Sequence, residues 1–477
     1  MRKAHSCFIR KIEINKEGCN VMKNMSLEVI AKACNGTFHG TEEDKKKLVQ
    51  GIVIDSRKAE KDFLFVAVKG ERTDGHNYVS QVYEKGVAAC LVEKVPEKEE
   101  GPYILVESSL QAVKDIAEYY RSILDIKVVG ITGSVGKTST KEMIASVLKQ
   151  KYKVLKTEGN FNNEIGVPLT IFNIKEEHEV AVLEMGISDF GEMHRLSKMV
   201  KPDICVMTNI GLCHLENLKT RDGILKAKSE IFDFASPSCT AILNGDDDKL
   251  ITLKSIKEIH PFFYGMKNEN DIHAENIKDL NLEGIQCDIC WNGQRVPVTI
   301  PIPGMHMVYN ALAGAMVGIT LGLSMKEIQE GIEVLKPTKG RNNILSIHNM
   351  TIIDDCYNAN PVSMRRSIDV LSKASGRKVA VLGDMGELGE NEEMLHYEIG
   401  EYAAEHNIDS LICVGALCEK MEQGALKAKT NMEVIHYKDV DTLLSNLLNH
   451  VKAGDTILVK ASHFMQFEKV VKAFENS

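Results

Sequence analysis

The chain has no apolar run as long as the ~18–20 residues of a membrane span. Its first 24 residues are polar and mixed and lack the apolar centre of a secretory signal. It has no lysine/arginine run long enough to follow a phosphate backbone, and its net charge is −9. Together these argue against nucleic acid as the main partner, while leaving room for a local basic pocket around a phosphorylated small molecule. Internal repeats and low-complexity tracts are absent. Twelve cysteines are present, but only Cys287-Asp288-Ile289-Cys290 sets two close together, and no second pair stands at zinc spacing. The plain reading of that pair is two thiols on a hairpin strand. Others lie inside apolar runs such as Ile204-Cys205-Val206 and Ile412-Cys413-Val414, the pattern of buried free thiols in a reducing cytosol.

What is present is ordinary globular composition, 44% hydrophobic and 26% charged over 477 residues, long enough for two to four domains of roughly 100–200 residues each. Residues 1–24 read as a disordered leader or as the product of an early start codon, because Met22 and Met25 stand just before the first convincing helix. From 25 to 125, short β-like runs broken by glycine turns close on a helix-period stretch at 110–124. From 126 to 337, apolar strands (128–131, 180–183, 204–207) alternate with helical patterns (191–200, 221–234). That alternation implies a mostly parallel sheet with helices on both faces. Residues 271–303 differ. They read as antiparallel strands at the edge of that sheet, with Asn292-Gly293 as a hairpin signal, and a helix rich in small residues follows at 307–321. From 338 to 477, strands at 351–353, 379–382, 411–414 and 456–459 alternate with helices near 361–374, 391–405, 415–427 and 439–449, a second open, Rossmann-like sheet. The fold class is therefore α/β in three domains. The expected site is the crevice at the carboxyl ends of the strands of the two later sheets.

The motifs fall where such a crevice should be. Strand 128–131 runs into Thr132-Gly133-Ser134-Val135-Gly136-Lys137-Thr138 and then a helix. Glycines there let backbone N–H groups turn inward around phosphate oxygens, the helix start adds positive charge, Lys137 reaches the β/γ-phosphates and the Thr138 hydroxyl ligates Mg²⁺. Ile131 stands where the standard pattern has a glycine six residues before the lysine; the plain alternative is a glycine turn between strand and helix. An amide-rich loop, Asn160-Phe161-Asn162-Asn163, follows, suited to metal-bound water or phosphate, or else an ordinary turn. Glu184 ends a parallel strand, a hard-oxygen ligand at the crevice mouth, and His214 hangs over the same edge; their alternatives are a solvated glutamate and a satisfied polar histidine. Lys228 lies on the next helix, where the plain reading is a solvated lysine. In the last segment, Asp354-Asp355-Cys356-Tyr357-Asn358-Ala359-Asn360-Pro361 offers a carboxylate for a ribose and a ring for a base. Gly383-Asp384-Met385-Gly386-Glu387-Leu388-Gly389 ends the next strand in the same way. Arg341, at the junction, is placed to meet a γ-phosphate from the far side.

These residues resemble the Mur ligases of peptidoglycan synthesis over roughly residues 26–475. Thr-Gly-x-x-Gly-Lys-Thr at 132–138, Asn-Asn-x-Ile-Gly-x-Pro-Leu-Thr at 162–170 and Ala-Lys-x-Glu-Ile-Phe at 227–232 are features of the whole family. The stretches 357–361 and 382–389 are narrower and point to the branch that adds D-alanyl-D-alanine to UDP-N-acetylmuramoyl-tripeptide. The resemblance implies a catalytic set of Lys137, Glu184, His214, Lys228 and Arg341. It implies that Gly133, Ser134, Val135, Gly136, Lys137, Thr138 and Ser139 bind the phosphates of ATP. Thr138 and Glu184 would hold one Mg²⁺, and Glu184, His214 and a carbamylated Lys228 a second. Asn310 and Tyr357 would approach adenine, Asp355 the ribose and Arg341 the γ-phosphate.

The first domain resembles the family's UDP-sugar domain through Asp55-Ser56-Arg57 and Lys69-Gly70-Glu71-Arg72-Thr73-Asp74-Gly75-His76. Ser56, Arg57, Lys69, Asp74, Gly75 and His76 are the implied contacts there, and Asn358, Asn360 and Ser462 those of the incoming amine. Val135 stands where many members have asparagine, and His463 where arginine is expected. The implied reaction is phosphorylation of a peptide carboxylate followed by attack of the amine, carried out by a cytoplasmic monomer that closes about a hinge near residues 337–340. A related ligase acting on another carboxylate, or a nucleotide-binding regulatory module without catalysis, are the alternatives.

Overall fold

The computed structural model describes residues 22–70, 73–98, 100–428 and 431–476. Of the leader expected over 1–24, residues 1–21 lie outside the described residues. Met22 is already buried, and its amide donates to the Val49 carbonyl at 3.0 Å. Among the described residues the strands form three sheets, and the chain divides into two compact units, one up to Ala112 and one from Val113.

The first unit carries a five-stranded sheet in the order Thr37–His39, Tyr103–Leu105, Ala89–Val92, Leu64–Val66, Ile52–Val53. All pairs are parallel except the first, and the apolar strand Ala89–Val92 is buried along its whole length.

The second unit contains the other two sheets. The larger runs Gln294–Ile300, Ile285–Trp291, Ile272–Asp279, Phe262–Gly265, Thr240–Asn244, Ile204–Met207, Lys127–Thr132, Val180–Glu184, Val154–Lys156. Its central strands are parallel and read as unbroken apolar runs because helices cover both faces. The expected antiparallel edge is present as the three strands from Ile272 to Ile300. Asn292 and Gly293 turn it with positive φ of 48° and 77°, as a type I′ hairpin requires. The small-residue helix spans His306–Thr320 and packs on helix Lys137–Leu148.

The smaller sheet runs Asn343–Ile347, Met350–Asp354, Thr456–Lys460, Lys378–Gly383, Ser410–Val414, Glu433–Tyr437, antiparallel only at its first pair. Its two edge strands were not anticipated from sequence. Both are only half-buried, so their residues lack the apolar run that marks the inner four. No helix among the described residues is long and apolar enough to cross a membrane.

Candidate active site

In the second unit the carboxyl ends of the parallel strands of both sheets open onto one cavity of about 510 Å³. One wall begins where strand Lys127–Thr132 hands over to helix Lys137–Leu148. Gly133 and Gly136 carry positive φ of 149° and 86°, and a side chain at Gly133 would strike the Thr208 hydroxyl. Ile131, standing where a third glycine is usual, is simply the last fully buried apolar residue of the strand. The loop is held through its backbone. The Val135 amide donates to Asn209 Oδ1 at 2.9 Å, and its carbonyl accepts from Thr208 Oγ1 and Asn209 Nδ2, both at 2.8 Å. A valine in place of asparagine therefore leaves the loop's shape intact. Lys137 curls back, its Nζ donating to the Gly133 carbonyl at 2.8 Å.

Behind the loop sits Glu184, 2% exposed. Its Oε2 accepts from Thr138 Oγ1 at 2.9 Å, its Oε1 from Asn162 Nδ2 at 2.8 Å, and its own amide donates to Thr157 Oγ1 at 3.0 Å. Lys141, fully buried, donates to the Thr157 carbonyl at 2.6 Å and stands 4.0 Å from Glu184 Oε2. The Thr138–Glu184 oxygen spacing is close to the edge of an octahedron with arms of about 2.0–2.1 Å, so this pair fits a magnesium ion.

Lys228 is the correction on this wall. It is not a solvated helix lysine: it is completely buried, and its Nζ has no hydrogen-bond partner among the described residues. Burial, reinforced by the charge of Lys137, pushes its ammonium down to about 7. His214, with φ of 51°, reaches across the cavity. Its Nδ1 lies 2.9 Å from Glu387 Oε2, on the loop that ends a strand of the smaller sheet. That hydrogen bond holds the Glu387 carboxyl below its ordinary range.

The opposite wall is built from the smaller sheet. Asp355 Oδ2 accepts from Lys460 Nζ at 2.5 Å and from Ser367 Oγ at 2.6 Å, and Oδ1 accepts from the Asn342 amide at 3.1 Å. The Tyr357 ring contacts the Arg341 guanidinium, 4.2 Å from its centroid, and the His463 ring, 5.4 Å away and inclined by 29°. Histidine at 463 thus stacks where arginine was expected. Asn360 caps helix Pro361–Ser372, accepting from the Ser363 amide at 2.9 Å, and Asn358 accepts from the Ala359 amide at the same distance. Gly340, in the expected hinge, donates to Asp354 Oδ2 at 2.8 Å.

Ser134, Ser139, Thr138, Glu184, His214, Arg341, Asp355, Tyr357, Asn358 and Asn360 all line the cavity with the loop. Four expected residues do not, Gly133 among them. Asn310 is buried beneath the phosphate loop, its Oδ1 accepting from Thr140 Oγ1 at 2.9 Å. Ser462 is buried between two loops, accepting from the Gly386 amide and donating to the Ala359 carbonyl. Lys228 lies behind the wall. Sequence reasoning also passed over Lys141, Asn209, His306 and Arg366. His306 lines the cavity and is kept neutral by burial and by the nearby Arg366 charge, which push it down to about 3. Asn209 and Lys141 had a signal, Asn209 just past the apolar strand 204–207 and Lys141 three residues after Thr138; His306 and Arg366 had none.

The six residues expected to meet a UDP moiety belong to the first unit. Asp55 caps the short turn Ser56–Lys58 and also takes the Arg57 guanidinium at 2.7 and 2.9 Å, leaving most of that side chain in solvent. Asp74 caps Gly75–Tyr78 in the same manner and bridges back to Lys69. Gly75 is obligatory, since a Cβ would sit 2.7 Å from the Val68 nitrogen. His76 is held from both sides: its Nδ1 faces Asp74 Oδ1 at 2.6 Å and its Nε2 accepts from the Glu93 amide at 2.9 Å. Glu71 and Arg72 of the same motif lie outside the described residues.

Known proteins share this arrangement. The Mur ligase middle domain matches residues 131–318, the Mur ligase glutamate ligase domain 340–463, and the Mur ligase family catalytic domain 48–124. The UDP-N-acetylmuramoyl-tripeptide–D-alanyl-D-alanine ligase of Bacillus subtilis is 38% identical over 456 residues, covering 94% of this chain and 98% of its own. A crystal structure of MurF from Acinetobacter baumannii superposes with a TM-score of 0.86 at 32% identity, over 95% of this chain and 99% of that one. MurF from Thermotoga maritima in complex with ADP does so with a TM-score of 0.78 at 30% identity, over 89% and 97%. With a phosphate-binding loop facing a second α/β sheet across one cavity, and matches of this extent, the chain belongs to the Mur ligase family of ATP-dependent, amide-forming ligases.

Proposed function

We propose that this chain joins D-alanyl-D-alanine to the peptide carboxylate of UDP-N-acetylmuramoyl-tripeptide, converting ATP to ADP and phosphate, as a single chain in the cytoplasm. The observation that carries the reading is the cavity in which the phosphate loop and Glu184 face Arg341, Tyr357 and Asp355. A carboxylate is a poor electrophile. Its oxygen attacks the γ-phosphorus, the bond to the β–γ bridging oxygen breaks, and ADP leaves. The amine nitrogen then attacks the acyl carbon and loses a proton, and phosphate departs with the C–O electron pair. Positioning and charge neutralisation carry most of such a reaction.

Each wall has its part. The loop amides around Gly133 and Gly136 cradle the phosphates, and Lys137 exchanges the Gly133 carbonyl for a phosphate oxygen. Arg341 meets the γ-phosphate, Tyr357 serves the adenine side, and Asp355 faces the ribose as one fixed group with Lys460 and Ser367. Asn358, Asn360 and Ser462 shape the place of the incoming amine; Ser56, Arg57, Lys69, Asp74, Gly75 and His76 hold the UDP moiety. Thr138 and Glu184 suit one Mg²⁺, and Glu184, His214 and Lys228 suit a second. Magnesium supplies charge that offsets repulsion between triphosphate and carboxylate. A buried, unpartnered amine whose ammonium is pushed down to about 7 is readily neutral. It can add CO₂, forming an N–C bond and releasing a proton, and so become an anionic ligand.

The test is incubation with ATP, Mg²⁺, D-alanyl-D-alanine and tripeptide carrying lysine or diaminopimelate in third place. Phosphate release that needs both substrates, and a product heavier by the dipeptide less water, are expected. Release with a glutamate substrate instead would move the chain to a sister activity. ATP binding with no release would make it a regulatory module.

A further inference from the structure

We propose that the antiparallel edge of the larger sheet holds a zinc-class divalent ion between His273, Glu275 and Cys290, a site separate from the nucleotide cavity. These three side chains bring their ligand atoms within 4.8 Å of one another. His273 and Cys290 are direct cross-strand partners, and Glu275 is two residues along from His273, so all three share one face. His273 Nε2 and Glu275 Oε1 are 3.4 Å apart. Two ligands about 2.0–2.1 Å from a tetrahedral Zn²⁺ stand about 3.3 Å apart.

The Cys287/Cys290 pair of the sequence cannot itself chelate an ion. Three residues apart on a strand, the two thiols point to opposite faces, and Cys287 is part of the core. Cys290 finds its partners across the strand instead.

A second observation points to a ligand. The fold leaves the His273 ring unused: among the described residues Nε2 makes only the long contact with Glu275, so it is free for an ion, and Nδ1 is buried with no partner. The other such cluster, Asp384, His396 and Cys418, differs on this point. There His396 Nε2 accepts from the Met385 amide at 2.8 Å and Nδ1 faces the Glu392 carbonyl at 2.7 Å, so that histidine is fully used by the fold.

Charge fits as well. Arg295 bonds Glu275 through Oε2 and approaches Asp288 at 3.6 Å, leaving Oε1 turned to His273. Two carboxylates and a thiolate against one guanidinium leave two negative charges for a divalent ion. Imidazole and thiolate select zinc-like over magnesium-like ions. On binding, the Cys290 S–H proton goes to solvent, an S–metal bond forms, and water takes the fourth position.

Trp291, the one tryptophan of the chain, follows Cys290 and reports on the site. The full chain, in excess Mg²⁺ to occupy hard-oxygen sites, is titrated with Co²⁺ while tryptophan fluorescence is followed, and Zn²⁺ is then added. Saturable quenching reversed by Zn²⁺ is expected. Cys290→Ser, His273→Gln and Glu275→Gln should each weaken Co²⁺ about tenfold or more, and Cys287→Ser should leave it unchanged. Melting in chelator checks that each variant folds. If Cys290→Ser does not, the other two ligand variants decide. Absence of quenching, quenching untouched by the ligand variants, or an equal effect of Cys287→Ser overturns the proposal.

Discussion

The two walls of the cavity are built on opposite principles. On the phosphate-loop wall the charged groups are left short of partners. Lys137 has one carbonyl, Lys228 has no partner among the described residues, and Glu184 has a hydroxyl and an amide, with the Lys141 ammonium standing off at 4.0 Å. On the facing wall they satisfy one another. Asp355 binds Lys460, Ser367 and the Asn342 amide; Asn360 caps a helix; Ser462 ties two loops; Tyr357 packs on Arg341 and His463. The first wall is electrostatically incomplete until ligand arrives, so its side chains are free to act on phosphate. The second is complete without ligand, so its side chains hold a shape.

Substitutions should therefore separate. Lys137→Ala should cut kcat/KM by at least about 10³-fold, the scale of a lost transition-state cation, with an unchanged thermal midpoint. ATP-dependent phosphate release near the parent rate would break the comparison at its strongest point. Asp355→Asn should do the reverse. It leaves the Lys460 ammonium, whose side chain is 3% exposed, against a neutral amide. Stripping one partner from a buried pair costs about 3–5 kcal/mol, which denaturant unfolding would read directly. A turnover defect with full stability would erase the distinction between the walls.

The same contrast explains what could be read in advance. Phosphate-loop residues follow one another along the chain from a buried apolar strand, and Glu184 and His214 each follow such a strand, so their place at the crevice is a local property of the sequence. Lys228 could be named only by resemblance. Its helix position looks solvent-facing, and its complete burial depends on packing from elements distant in sequence. His306 and Arg366 reach the cavity through tertiary placement alone. In the smaller sheet the inner strands declared themselves by apolar runs, while Asn343–Ile347 and Glu433–Tyr437, half-exposed at the edges, carried no comparable signal. Polar residues of the facing wall were legible as important but not as structural: nothing in Asn360 or Ser462 distinguishes a cap or a staple from a ligand contact until the backbone amides they serve are in place.

Lys228→Met sharpens the comparison further. An unfolded lysine titrates near pKa ~10.4, whereas burial holds the folded one at about 7. Between those values the unfolded chain binds more protons, so stability rises with pH across that window. Methionine should flatten that rise and match or exceed the parent's midpoint at neutral pH in CO₂-free buffer. Turnover should nonetheless fall about 10²-fold through loss of a metal ligand. A melting curve with the parent's full pH dependence would mean that the buried amine is not its source.

The smallest effect belongs to the contact between the walls, His214 with Glu387. Glu387 is 70% exposed, so the pair contributes only about 0–1 kcal/mol. Because the histidine lowers the folded carboxyl pKa, that contribution is present above the ordinary glutamate value of ~4.3 and fades as pH falls through the lower folded value. Glu387→Gln should remove this acid-side loss and leave neutral stability nearly untouched. It also releases His214 Nδ1. If that nitrogen is a ligand of the second ion, the variant should reach half-maximal activity at lower Mg²⁺, by at most about fivefold, the factor that 1 kcal/mol allows. A higher Mg²⁺ requirement would instead place Glu387 itself among the groups that hold the ion, and the satisfied wall would then take part in the chemistry of the unsatisfied one.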